Sequence, residues 1–235
     1  ALRLLNLINQ ILEFRKTETQ NKRLCVCKGN IAPLIYEIGL KYKELNQKTK
    51  IDFRIQIEKE EMLLFFDKEI VTIVLDNLIS NAIKYTEQGC ITLSLYQTVR
   101  NEVAYTEIKV SDTGYGISAE ALPHIFDRYY QESGKHQASG TGIGLALVKN
   151  LVELHEGEIR AESVQNEGST FCISLLTDNI YPNALHTDST EPAAKEDTAQ
   201  ATTSENTSEP TVDNGKPILL IVEDNEEIQK YIAES

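Results

Sequence analysis

Three short runs in the middle of this chain carry side chains of the kind that hold charged ligands. In the first, Asp76-Asn77-Leu78-Ile79-Ser80-Asn81-Ala82-Ile83-Lys84-Tyr85, residues Asn77, Asn81 and Lys84 fall at i, i+4 and i+7 and share one helix face. Two amides and an ammonium on one stripe suit a hydrated Mg²⁺ and the phosphates it bridges, while Val74, Leu75, Leu78, Ile79 and Ala82 suit burial. Alone, the stripe reads at least as readily as an ordinary solvated face. The second run is Asp112-Thr113-Gly114-Tyr115-Gly116-Ile117, directly after a strand pattern ending at Ser111. A carboxylate at a strand end can accept a hydrogen bond from an exocyclic amine, and the two glycines let the backbone approach a flat ligand; a plain β-turn uses the same residues. The third, Gly140-Thr141-Gly142-Ile143-Gly144-Leu145, opens a helix, so free N–H groups and the positive end of the dipole are offered to an anion. It is not a dinucleotide fingerprint, because no strand directly precedes it, and Ser133-Gly134-Lys135-His136 lacks the upstream glycine and following hydroxyl of a P-loop. Glycines bracket the segment between the second and third runs, which holds Phe126-Asp127-Arg128-Tyr129-Tyr130 and a small polar stretch from Gln131 to Ser139, as a lid would.

Taken in order, these runs closely resemble the N, G1, F and G2 boxes of histidine kinases, and the resemblance continues through His155-Glu156-Gly157-Glu158-Ile159 and Gly168-Ser169-Thr170-Phe171. It covers roughly residues 24–176 and implies the GHKL-type ATP-binding sandwich shared with gyrase B and the large heat-shock chaperones. By that resemblance Asn81 is the Mg²⁺ ligand, with Asn77 and Lys84 beside it as catalytic residues, Lys84 on phosphate. Asp112 reads the adenine amine. Tyr85, Gly114, Gly116, Ile117, Gly140, Thr141, Gly142, Gly144 and Leu145 complete the ATP site. Two departures stand out. Gln131 follows Tyr130 where the family often has arginine, which leaves phosphate charge to Lys84 and Arg128. Glu156 replaces the first glycine of the usual His-Gly-Gly, expected to be a tolerated turn change.

The elements that must position these runs are legible from periodicity. Asn30 is a helix N-cap with Pro33 in the first turn, and Ile31, Leu34, Ile35, Ile38, Tyr42 and Leu45 form the apolar face. Ile51–Ile57 alternates strictly, as a half-buried strand does. Asp67 caps the next helix, to about Tyr85. Strands are expected at 91–96, 103–111, 158–164 and 170–175, and a helix from about Ile143 to Leu154. The mixed order, without regular βαβ alternation, predicts an α+β two-layer sandwich with helices on one face of a mainly antiparallel sheet.

The flanks extend the resemblance. Residues 1–20, with Leu4, Leu5, Ile8, Ile11 and Leu12 on one stripe, look like the end of a dimerisation and histidine-phosphotransfer hairpin; a helix packed on its own domain fits the stripe equally. The catalytic domain is expected at 24–176. Residues 177–215, rich in Thr, Ser, Asp, Glu and Asn, are expected to be a disordered acidic linker. Residues 216–235 look like the start of a receiver domain, with Glu223 and Asp224 as its acidic pair. The implied parent is a homodimeric hybrid sensor kinase, and the implied reaction passes the γ-phosphate of ATP to a hairpin histidine and thence to a receiver aspartate.

Composition narrows the field. The formal net charge of -13 over 235 residues argues against nucleic acid or an anionic membrane surface as partner. Cys25, Cys27, Cys90 and Cys172 are scattered as reduced thiols are, and nothing near Cys25 and Cys27 completes a metal set. No apolar run approaches the ~18 residues of a membrane span, and the chain starts at Ala1 with Met62 its sole methionine. We therefore expect a cytoplasmic segment of an inner-membrane sensor, cut from a longer protein. Two rivals stand beside this reading: another GHKL ATPase, and a degenerate nucleotide-binding scaffold that signals by protein contacts.

Overall fold

The computed structural model describes residues 12, 23–46, 50–131 and 141–187. The expected bundle helix at 1–20 apart from residue 12, the lid residues 132–139, Gly140, the linker beyond 187 and the receiver start at 216–235 lie outside them. Two side-chain caps set the helix starts. Asn30 Oδ1 accepts from the Ala32 N–H at 3.1 Å and opens α1, Ile31–Leu45. Asp67 Oδ1 accepts from the Ile70 N–H at 3.0 Å and opens α2, Lys68–Tyr85. Both caps also tie distant chain: Asn30 Oδ1 takes the Met62 N–H at 2.9 Å, and Asp67 Oδ2 takes the Cys25 N–H at 2.9 Å. A buried carboxylate with this many N–H donors meets the requirement that buried polar groups be satisfied.

The strands are β1 (Cys25–Asn30), β2 (Ile51–Ile57), β3 (Leu63–Phe66), β4 (Gly89–Arg100), β5 (Val103–Asp112), β6 (Glu158–Val164), β7 (Gly168–Leu176) and β8 (Leu185–His186), with α3 at Gly144–Leu154. Five of them form one sheet in the order β2-β4-β5-β7-β6. Only the β2–β4 pair is parallel. Ile91, Leu93 and Leu95 of β4, Ile108 and Val110 of β5, and Ile173 and Leu175 of β7 are buried with the apolar faces of the three helices in one core. The two-layer α+β architecture is therefore the expected one, of the GHKL type.

Three features depart from the sequence reading. A second sheet, β3-β1-β8, stands beside the first; its strands are too short and too irregularly patterned to announce themselves. The β4–β5 hairpin runs past Tyr96 to a turn at Asn101 and Glu102, both at positive φ (50° and 66°), so the polar stretch after Tyr96 is strand. The third is a correction. The folded chain does not stop at Leu176: Tyr181 is 1% exposed, and Leu185 and His186 pair in parallel with Cys25 and Val26. Residues 177–187 are part of the domain because one buried aromatic and a strand pairing outweigh a polar composition. On the sheet's other face Glu107, nearly buried, gathers Tyr96, Arg100, Arg160 at 3.2 Å and Ser174 at 3.1 Å.

Candidate nucleotide-binding site

The polar stripe of α2, the turn after β5 and the start of α3 meet at one end of the core. Asn77 Nδ2 donates to the Ile73 carbonyl at 2.8 Å. Its Oδ1 sits where a Cβ added to Gly144 would lie only 2.9 Å away, so glycine at position 144 lets α3 begin directly against the amide face of α2. Asn77 thus braces the two helices. One turn on, Asn81 is half-buried and makes no side-chain hydrogen bond among the described residues. Lys84 Nζ lies 4.6 Å from the centre of the Tyr85 ring and 3.0 Å from its hydroxyl.

The turn after β5 is fixed by backbone contacts that only glycine permits. Tyr115 N–H donates to the Tyr85 carbonyl at 3.2 Å, and a Cβ on Gly114 would meet that same oxygen at 2.4 Å. Gly116 has φ +65°, and a Cβ there would lie 2.0 Å from the Val164 carbonyl oxygen. Asp112, half-buried, accepts from the Gly114 N–H at 2.8 Å. Burial pushes its carboxyl above the usual aspartate range, opposed by the N–H groups of Gly114 and Ser169. A desolvated carboxylate with a free lone pair is a demanding acceptor, suited to an amine donor.

The third run places Thr141, Gly142 and Ile143 ahead of α3, which opens without a side-chain cap. Its first-turn N–H groups are therefore available to an anion. Tyr129, itself at φ +61°, donates its N–H to the Gly142 carbonyl at 2.8 Å. Gly142 has φ +68° and would collide with the Tyr129 backbone if it bore a Cβ. The ends of the 130–141 segment are thus pinned together. Phe126 packs edge-on against Phe171, ring centres 6.5 Å apart.

Residues 66–179 match the family described as histidine kinase-, DNA gyrase B-, and HSP90-like ATPases. A protein from Formosa agariphila named histidine kinase P4 is 30% identical over 99% of this chain, and sensor histidine kinase WalK of Bacillus subtilis is 30% identical over 74%. The nucleotide-free catalytic domain of the histidine kinase ThkA superposes with TM-score 0.55 at 26% identity, covering 64% of this chain and 95% of that one. The stretch 66–179 therefore carries a domain of this ATPase type, and the relatives that it resembles are named histidine kinases. The chain spans 18% of the length of the P4 protein and 28% of WalK.

Within this domain Asn77 meets Gly144, Lys84 meets Tyr85, Tyr85 meets Gly114 and Asp112 meets Gly114, while Asn81, Gly116, Ile117, Thr141, Gly142 and Leu145 lie on the same helix, turn and helix start. The donor set fits Mg²⁺ and ATP: a half-buried amide with no side-chain hydrogen bond among the described residues, a carboxylate whose pKa is raised by burial, and a helix start without a side-chain cap. Sequence reasoning missed Ser163 and Ser169. Ser163 Oγ accepts from the Ile117 N–H at 2.8 Å, and no motif or periodicity marks such a serine. Glu156, at φ +53°, takes the left-handed conformation that its glycine counterpart would adopt freely; Asn179 Nδ2 donates to its carboxylate at 2.8 Å.

Proposed function

We propose that this domain binds Mg·ATP and donates the γ-phosphate to a histidine on the phosphotransfer hairpin of a hybrid, homodimeric sensor kinase, from which it passes to a receiver aspartate. The observation that carries the reading is the seating of Gly144 against Asn77, which sets an uncapped helix start beside the amide stripe of α2. Bound Mg·ATP supplies the transferable phosphoryl group and the charge-neutralising cation. The chain's own residues bind and orient. Asn81 offers its amide oxygen to the cation, Lys84 its ammonium to phosphate, and the α3 N–H groups an anion cradle. Asp112 accepts from the adenine amine. Catalysis of phosphoryl transfer rests on such positioning and electrostatics. The Gly142–Tyr129 contact holds the chain on the two sides of residues 130–141 together.

No helix among the described residues is long and apolar enough to cross a membrane, and a place in the cytoplasmic part of an inner-membrane sensor is proposed with the same parent. The test is transfer of labelled γ-phosphate to a separately supplied hairpin bearing its histidine, with and without Mg²⁺. Metal-dependent labelling of the hairpin is expected. ATP binding without transfer would favour a signalling scaffold, and hydrolysis without transfer would favour another GHKL ATPase.

A further inference from the structure

Asp112, Ser169 and Ser163 form a row across three adjacent strands: Asp112 of β5 is paired with Ser169 of β7, and Ser169 with Ser163 of β6. All three lie on the side of the sheet that faces the helices, at the end where the ligand-binding turn begins. The Ser163 hydroxyl has every hydrogen-bonding position filled. It accepts from the Ile117 N–H at 2.8 Å, donates to the Gly168 carbonyl at 2.8 Å and lies 3.0 Å from Ser169 Oγ, which supplies the remaining proton. Its contacts thus join the far end of the Asp112–Ile117 turn to the chain at Gly168 and Ser169.

That chain is pressed onto Asp112 itself. Gly168, at φ +123°, lies so close that a Cβ would come within 2.0 Å of the Asp112 carbonyl oxygen. The next residue, Ser169, pairs with Asp112 across the β5–β7 ladder, and its backbone N–H is near enough to lower the carboxyl's pKa against the effect of burial. The opposite end of the turn is held by the Asn166 N–H, which donates to the Tyr115 carbonyl at 2.6 Å. The β6–β7 turn is therefore the mould of the base-reading turn, and one serine hydroxyl fastens both of its sides.

From this geometry we infer that Ser163 is a positioning residue for adenine recognition, acting through Asp112 rather than touching nucleotide. The inference rests on the proposed binding of ATP at this site. Losing the hydroxyl leaves the Ile117 N–H and Gly168 carbonyl without their partner and lets the carboxylate shift. Placement errors of this kind weaken a directed hydrogen bond more than they weaken general contact. Ser163→Ala is then expected to raise the Kd for ATP about tenfold, the size of one good hydrogen bond to a charged group. Inosine triphosphate, which offers no exocyclic amine, is expected to bind the variant and the parent chain alike.

The experiment is calorimetric titration of the full chain and its variants with ATP and inosine triphosphate, joined by a double-mutant cycle with Asp112→Asn. In the Asp112→Asn background the further change Ser163→Ala is expected to cost less than twofold. Ser163→Thr, which keeps the hydroxyl, is expected to restore parental affinity. Ser163→Cys keeps the volume with a poor hydrogen-bond partner and carries the same expectation as alanine, should alanine disturb the turn. Equal losses for both nucleotides, additive losses in the cycle, or unfolding of both variants would each overturn the inference and leave Ser163 a residue of stability alone. A parent chain that binds neither nucleotide would instead overturn the proposed function.

Discussion

The Tyr181 hydroxyl lies 2.8 Å from Nδ1 of His155 and donates to the carbonyl of the same residue at 3.2 Å. His155 Nε2 accepts from the Asp67 N–H at 3.1 Å, which fixes the proton of the neutral ring on Nδ1. One buried imidazole therefore joins the end of α3, the start of α2 and the segment after β7. Removing everything after Leu176 exposes this joint and strips β8 from β1. We expect the shortened chain to be destabilised, and Tyr181→Ala alone to lose about 3–5 kcal/mol. Tyr181→Phe should lose about 1–2 kcal/mol, the share of the hydroxyl. Urea unfolding checks this; an unchanged midpoint after truncation at Leu176 would restore that residue as the boundary.

The same histidine makes stability depend on pH. Burial is the largest influence on His155 and lowers its pKa from the ordinary value of 6.5. The unfolded chain then binds a proton that the folded chain refuses. The contribution is fully present above about pH 6.5 and is lost as pH falls through the folded value, at up to about 1.4 kcal/mol per pH unit for one proton. His155→Gln, which cannot titrate, should flatten that share of the slope. Melting curves between neutral pH and pH 5 decide; an equal slope in the variant would assign it to other groups.

How far the sequence led depended on the range of the forces involved. Local signals were legible: the caps Asn30 and Asp67, the alternation of Ile51–Ile57, and the helix starts all lie within a few residues of what they control. The four boxes were legible because their order and spacing repeat a known family pattern. The sheet β3-β1-β8 was not, since β1 and β8 are joined only by contact between residues far apart in sequence. Tyr181 sits in a polar stretch whose composition matches a tether, and composition averages away a single well-placed aromatic. Ser163 was invisible for a related reason. Its importance comes from three partners that periodicity cannot place.

Asp112→Asn should weaken ATP binding while leaving the nucleotide-free domain at least as stable. Burial raises the carboxyl's pKa, so the charge is disfavoured in the empty domain, and a neutral amide removes that cost. Against ATP the same change loses a charge-assisted acceptor worth roughly 1.5–3 kcal/mol. The raised pKa adds a sign: adenine recognition should decline as pH falls through the elevated value, because the protonated carboxyl accepts less well. Competition between ATP and GTP at pH 7 and pH 5 measures both effects. Equal binding of the two nucleotides at pH 7 would contradict the role given to Asp112.

Asn81→Ala tests the metal assignment. The amide has no side-chain partner among the described residues, so its loss should change the melting temperature of the empty domain little, within roughly 0.5 kcal/mol. In titrations with ATP, the gain in affinity on adding Mg²⁺ should shrink or vanish. An undiminished metal dependence would remove Asn81 from the cation's ligands.

Two glycine-to-alanine changes separate the chemistry of the base-reading turn from general tolerance. Gly116 has φ +65°, where an L side chain is strained, and a Cβ would lie 2.0 Å from the Val164 carbonyl oxygen. Neither backbone can yield alone, because Asn166 N–H is bonded to the Tyr115 carbonyl at 2.6 Å and Ile117 N–H to Ser163. Gly116→Ala must therefore push the turn off the β6–β7 hairpin, losing about 2–4 kcal/mol of stability and moving Asp112 with it. ATP affinity should fall more than about tenfold, by the loss of at least one directed hydrogen bond. Gly29→Ala is the control: its nearest neighbour would be a Phe66 ring carbon at 3.7 Å, an ordinary contact without positive φ, so stability should change by less than about 1 kcal/mol. Thermal melting and ATP titration of the two variants side by side make the comparison. If Gly116→Ala bound ATP as Gly29→Ala does, the turn would not be held by the hairpin, and the mould described for the base site would not be what positions Asp112.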